Sequence, residues 1–138
     1  MQRRPPLDEE RVDALALLLF LLALWVIDLA NRGGHNALLG VLLSLPGGDK
    51  IGHFFVYGLL AAFLDAALRW RMWSLLGGLS APAAAVWVLG FGLLEEASQF
   101  FTQTRTPDAI DLLANLAGVW VCCLLGRRLA RRLGHLKA

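Results

Sequence analysis

Four apolar stretches, residues 12–30, 51–68, 75–101 and 110–125, dominate this 138-residue chain. Each is close to the ~20 residues that an α-helix needs to cross a bilayer. In hydrocarbon every backbone N–H and C=O must be satisfied internally, and runs of this length without strict alternation satisfy them as helices. With 57% hydrophobic residues, 17% charged residues and a mean hydropathy of +0.58, a soluble domain of this size has no core large enough to hide them. The expected fold is all-α, a four-transmembrane-helix bundle forming a single domain over residues 1–138.

The first stretch reads as a retained helix and not as a cleaved leader, because Asp8, Glu9 and Glu10 precede it and no small-residue cleavage site follows. Cys122 and Cys123 are adjacent within the fourth stretch and point in different directions on a helix, so they are expected to pack and not to bridge. Four helices put both termini on one side of the membrane. That side, with the link between the second and third helices, holds ten Lys and Arg residues against Arg32, Lys50 and Arg105 opposite. Short cytoplasmic loops carry such an excess, so both termini are expected to be cytoplasmic, with a basic tail over residues 127–138. A basic face of this kind suits anionic lipid head groups, and no stripe suited to nucleic acid is present.

Between the first two helices, the apolar residues 37–45 are too short to cross and run into Pro46-Gly47-Gly48. A short interfacial segment is expected there, on the outer surface. Trp70 and Trp73, beside Arg69 and Arg71, fit an aromatic belt at the cytoplasmic boundary. Pro82 suits the first turns of the third helix or a kink in it. Asp65 precedes Arg69 by four residues and is expected to pair with it at the cytoplasmic end of the second helix.

The remaining embedded polar residues fall in two short stretches, Asp49-Lys50-x-x-His53-x-x-x-Tyr57 and Glu95-Glu96-x-x-Gln99 running on to Arg105, Asp108, Asp111 and Asn115. A charge inside a membrane segment costs ~2.5–3.5 kcal/mol on insertion scales, so it persists where it has a partner or a task. The expected topology places every one of these residues in one outer layer. Asp49, His53 and Tyr57 share one helical stripe, and Asp108, Asp111, Asn115 and Gly118 share another. Gly118 suits close helix approach beneath the polar layer. Helix capping is the simpler reading of Asp49 and Asp108, but it does not account for His53, Glu96, Asp111 and Asn115.

The order Asp49-Lys50-x-x-His53-x-x-x-Tyr57, Glu96-x-x-Gln99, Arg105, Asp111-x-x-x-Asn115-x-x-Gly118 resembles the VanZ-like family of small bacterial integral membrane proteins, over roughly residues 49–118. Glu95 doubles the acidic position, and Glu96 fits the family's spacing to Gln99. A second glycine expected soon after Gly118 is replaced by Val119-Trp120-Val121-Cys122. The resemblance implies a multi-pass protein of the bacterial cytoplasmic (inner) membrane and cell envelope, of a family whose founding member is associated with low-level resistance to the glycopeptide teicoplanin.

Two functions follow as expectations. In the first, the outer polar layer binds a lipid-linked cell-wall precursor or a lipoglycopeptide. Lys50 and Arg105 then contact anionic groups, Gln99 and Asn115 bond amides, and Asp49, His53, Tyr57, Glu96 and Asp111 complete the ligand-binding set. In the second, a membrane-embedded enzyme uses His53 as acid or base, with Glu96 and Asp111 as further catalytic or metal-site candidates. No motif such as His-Glu-x-x-His marks a metal, and no cofactor is expected. A through-path for protons finds no steps in the apolar residues 83–94 and 116–125. Membrane lipids are the expected surroundings, and the oligomeric state has no sequence signal.

Overall fold

The computed structural model describes residues 9–31, 45–101 and 108–134. Helix α1 covers Glu9–Asn31, α2 Gly48–Ala67, α3 Ala83–Ser98 and α4 Ala109–Arg132, with strands β1 (Met72–Ser74) and β2 (Ser80–Pro82) between α2 and α3. Helices α1, α2 and α4 are long and apolar enough to cross a membrane. The fourth, α3, has 16 residues, followed by a short 3-10 turn, Gln99–Phe101. The expected interfacial segment and Arg105 fall outside the described residues.

Contacts fix the directions of the helices. Lys50 near the start of α2 meets Asp111 near the start of α4, and Asp65 near the end of α2 meets Arg127 near the end of α4, so these two helices run parallel. Helix α1 runs against them, because its Asp13 reaches Arg69 just beyond α2. Helix α3 also runs against them: Ala83 N donates to Arg71 O at one end, and Glu95 meets Tyr57 at the other. The beginning of α1 and the end of α4 therefore lie at the same end of the bundle.

Helices α2 and α4 pack backbone against backbone along their seam for a local reason. A Cβ on Gly118 would collide with the carbonyl of Phe54, and one on Gly58 with the carbonyl of Gly118 and with Cys122 Sγ. Glycine at both positions lets the two backbones approach, as small residues do between membrane helices. The core beside this seam comprises Tyr57, Leu60, Ala61, Val88, Val119 and Cys123, with smaller alanines from α1 and α3. Both cysteines are free, as their adjacency predicts. Helix α1 buries little beyond Ala16 and Ala23 and leaves most of its leucines exposed, as a lipid-facing helix must.

Three expectations need correction. The third helix was expected from residue 75, but residues 72–82 form a hairpin with Met72 opposite Pro82 and Ser74 opposite Ser80. Gly77 and Gly78 take positive φ at its tip, and Pro82 stands just before the first turn of α3. The all-α bundle thus carries one small β element. Second, the basic residues from Arg127 to Arg132 belong to the last turns of α4 and not to a tail.

Third, Asp65 pairs with Arg127 and not with Arg69. Helix α2 ends before Arg69, and Arg69 and Trp70 both turn left-handed, with φ of 57° and 61°. Such a conformation costs ~1–2 kcal/mol per non-glycine residue. It is held by Trp70 N donating to Asp65 O and by Arg127 Nη2 donating to Trp70 O. Arg69 leaves the helix face that Asp65 occupies and pairs with Asp13 instead.

Candidate functional site

The polar residues at the other end of the bundle converge in two levels. In the upper level, the Lys50 ammonium donates to Asp49 Oδ2 at 2.6 Å, Asp108 Oδ2 at 2.8 Å and Asp111 Oδ1 at 2.7 Å. An ammonium has three N–H donors, so these acceptors engage all of them. The arrangement arises because α2 and α4 start side by side and each places a carboxylate in its first turn, where the helix dipole favours negative charge. Asp108 caps α4 as expected, accepting from Ile110 N at 2.8 Å. Asp49 does not cap α2: the cap position falls on Gly47 in a left-handed conformation, and the Asp49 carboxylate turns to Lys50. Asp108 lies just before the spanning segment, and the ammonium of Lys50, with the N–H of Ile110, holds its carboxyl below the ordinary value of 3.8.

In the lower level, His53 Nδ1 lies 3.0 Å from Asn115 Oδ1 and Nε2 lies 3.7 Å from Asp111 Oδ2. With its proton on Nδ1, the imidazole donates to this amide oxygen and turns Nε2 toward the carboxylate. Tyr57 lies parallel to the imidazole at 5.7 Å between ring centroids, and its hydroxyl donates to Glu95 Oε2 at 3.4 Å. Gln99 Nε2 donates to Glu95 Oε1 at 3.0 Å and to Glu96 Oε2 at 3.2 Å, and Asp108 N donates to Glu96 Oε1. Glu95, Glu96, Gln99, Asp111 and Asn115 are all buried. Gly92 admits this packing, since a Cβ there would press on Asn115 Nδ2 and the Tyr57 ring.

Of the residues singled out by sequence, Asp49, Lys50, His53, Tyr57, Glu96, Gln99, Asp111 and Asn115 meet in this one network, drawn from α2, α4 and the end of α3 with its 3-10 turn. By sequence Glu96 is preferred to Glu95 and Asp108 reads as a cap, yet Glu95 and Asp108 both join the network. Spacing favours one acid of an adjacent pair, because neighbours on a helix point ~100° apart. At the end of α3, however, one acid faces α2 and the other faces the start of α4, so both are enclosed. The signal available was the doubled charge at the end of an apolar run. Lys50, expected to contact an external anion, has its donors engaged by the carboxylates of the protein itself.

Two features bear on chemistry. The described residues of the network include five carboxylates and one lysine: Asp49, Asp108 and Asp111 accept from Lys50, whereas Glu95 and Glu96 accept from Gln99. Asn115, 1% exposed, has an amide nitrogen with no hydrogen-bond partner among the described residues. Among those residues, no group of three His, Cys, Asp or Glu side chains is disposed to hold a metal ion, so the metal version of the His53, Glu96 and Asp111 reading finds no such set.

The model of the VanZ/LLP1 family matches residues 14–130, from the first helix to the last turns of the fourth. No curated protein and no solved structure matches the chain.

Proposed function

The chain belongs to the VanZ/LLP1 family, and from that premise we propose that it is a four-pass protein of the bacterial cytoplasmic membrane whose polar layer binds the head group of a lipid-linked or glycopeptide-type ligand at the outer face. The parallel course of α2 and α4 supports four passes, because the chain between two parallel spanning helices must return across the membrane, and α3 is the element that returns. The Lys and Arg excess at the end carrying Arg69, Arg71 and the end of α4 supports a cytoplasmic placement of that end and an outer placement of the Lys50 layer.

The observation that carries the ligand reading is the buried amide nitrogen of Asn115 beside His53, which has no hydrogen-bond partner among the described residues. An unmet buried donor costs ~1–3 kcal/mol, which an acceptor oxygen on a ligand would offset. The carboxylates around it accept from hydroxyl, amide or amine donors. Such a mixture suits the sugar and peptide portions of a cell-wall precursor or a glycopeptide. With Lys50 engaged, contact with an anionic group falls to Arg105 in this proposal.

The test is a titration of the protein in lipid nanodiscs with a lipid-linked cell-wall precursor and with teicoplanin. Saturable binding is expected, lost in Asn115→Leu and His53→Ala and kept in Arg128→Ala, with a matching change in teicoplanin susceptibility of an expressing host. Folded protein that binds neither compound would remove the proposal. The enzyme reading rests on the placement of His53 between Asn115 and Asp111, which orients an imidazole for proton transfer. Chemical conversion of the bound precursor, lost in His53→Ala, would favour it.

A further inference from the structure

We propose that the β1–β2 hairpin inserts its leucine tip into the bilayer interface at the end of the bundle remote from the polar layer, with Arg71 at its base against lipid phosphates. This rests on the four-pass placement of the bundle and not on the ligand. The tip is apolar and uncovered: Leu76 is 97% exposed and Leu79 69%, with Leu75 and Met72 also exposed. Its position is fixed by the fold. Trp73 packs on Trp87 of α3 at 5.8 Å between ring centroids, Ala83 N donates to Arg71 O, and Arg127 donates to Trp70 O.

The length of α3 identifies the occupant. Sixteen residues rise ~24 Å, short of the ~30 Å of hydrocarbon that a crossing helix must span. The hairpin joins directly to the start of α3 and continues its apolar sequence toward the membrane boundary. A two-stranded hairpin also has outer edges whose N–H and C=O groups lack ladder partners. Those edges exclude the hydrocarbon centre but not the head-group level, where water and phosphate can satisfy them. Exposed Arg71 stands at the hairpin's base, and Arg131 and Arg132 end α4 at the same end of the bundle, a charge pattern complementary to anionic lipid. Trp70 and Trp73 suit the same depth. The hairpin thereby fixes how deep the short α3 lies, and with it the level of the polar layer that the end of α3 helps to close.

The experiment places a bimane fluorophore at Leu76→Cys, and separately at Gly90→Cys midway along α3, in a Cys122→Ala/Cys123→Ala background. Each protein is reconstituted in phosphatidylglycerol–phosphatidylcholine nanodiscs with or without bromines high on the acyl chains. Should that background unfold, a fluorescent amino acid incorporated at the same positions gives the same readout. Blue-shifted emission at position 76, strongly quenched by the bromolipid and restored by adding Leu79→Asp, is the expected result. Water-like, unquenched emission at 76 with lipid-like emission at 90 would overturn the hairpin inference while leaving four passes intact. Water-like emission at 90 would overturn the four-pass placement itself. Blue-shifted emission at 76 without quenching would mean that protein covers the tip, which also overturns the inference.

Discussion

Arg127 grips Asp65 across the α2–α4 seam by two hydrogen bonds, Nε to Oδ2 at 2.6 Å and Nη2 to Oδ1 at 2.8 Å, and the Asp65 side chain is wholly buried. The same guanidinium bonds the carbonyl of Trp70 in the left-handed turn that starts the hairpin. One residue thus ties two parallel helices and the hairpin together at the end opposite Lys50.

Removing one member of such a pair leaves a buried charge alone, at a cost of ~3–5 kcal/mol. Arg127→Ala is expected to lower the thermal midpoint in detergent far more than Arg128→Ala, whose side chain is exposed. The double variant Asp65→Leu/Arg127→Leu should recover much of the loss. Equal midpoints for the two single variants would show that the pair contributes nothing to stability.

Close approach at the seam gives a second expectation. Gly118→Ala must push α4 away from the Phe54 carbonyl, whereas Gly90 on α3 has nothing within 4 Å of an added Cβ. Gly118→Ala should destabilise by at least the ~1–3 kcal/mol of ordinary overpacking, because backbone cannot yield as a side chain can. Gly90→Ala should be neutral or stabilising. Circular-dichroism melts of both proteins in the same detergent make the comparison.

Lys50 compensates one well-buried carboxylate, Asp111, and two more exposed ones, Asp49 and Asp108. Lys50→Met is therefore expected to lower the melting midpoint mainly through Asp111. Adding Asp111→Asn should restore most of it, while adding Asp49→Asn should restore little. A double-mutant cycle on the melting midpoints measures the difference; equal rescue by both changes would contradict this assignment.

Acid should loosen the upper level in a defined direction. The Asp108 carboxyl titrates below its ordinary value of 3.8 in the folded protein because Lys50 and the Ile110 N–H favour its charged form. Its contribution is fully present above that ordinary value and is lost as pH falls through the lower folded value. Stability of Asp108→Asn, which keeps a side-chain oxygen for the cap, should fall less steeply than wild type below about pH 4. Parallel slopes from urea or thermal unfolding at several pH values would exclude Asp108 as a source of acid sensitivity.

Sidedness is open to a direct measurement. Reporters fused after Trp70 and at the C-terminus are expected to read cytoplasmic, and one within residues 33–48 extracytoplasmic, following the ten-to-three Lys and Arg bias. An extracytoplasmic reading after Trp70 would invert the bundle and move the Lys50 layer to the inner face.

The amino-acid sequence by itself determined the membrane character, the helices α1, α2 and α4, and the membership of Asp49, Lys50, His53, Tyr57, Glu96, Gln99, Asp111 and Asn115 in one polar group. Each of these depends on local information: the length of an apolar run, the helical spacing of polar residues along it, and the cost of an unaccompanied charge in hydrocarbon. The partners of the charges were not local. Asp65 is four residues from Arg69 and 62 from Arg127, yet it pairs with Arg127, because the helix ends before Arg69 and two left-handed residues turn that side chain toward Asp13. Likewise Lys50 is closed by carboxylates 58 and 61 residues away, because glycines at 58 and 118 bring two parallel helices into backbone contact. The hairpin over residues 72–82 escaped a hydropathy reading because its leucines extend the apolar run of α3. Direction and closeness of helices are properties of the packed whole, so pairing across the seam, the enclosure of Glu95 and the engagement of Lys50 were decided only by the tertiary structure.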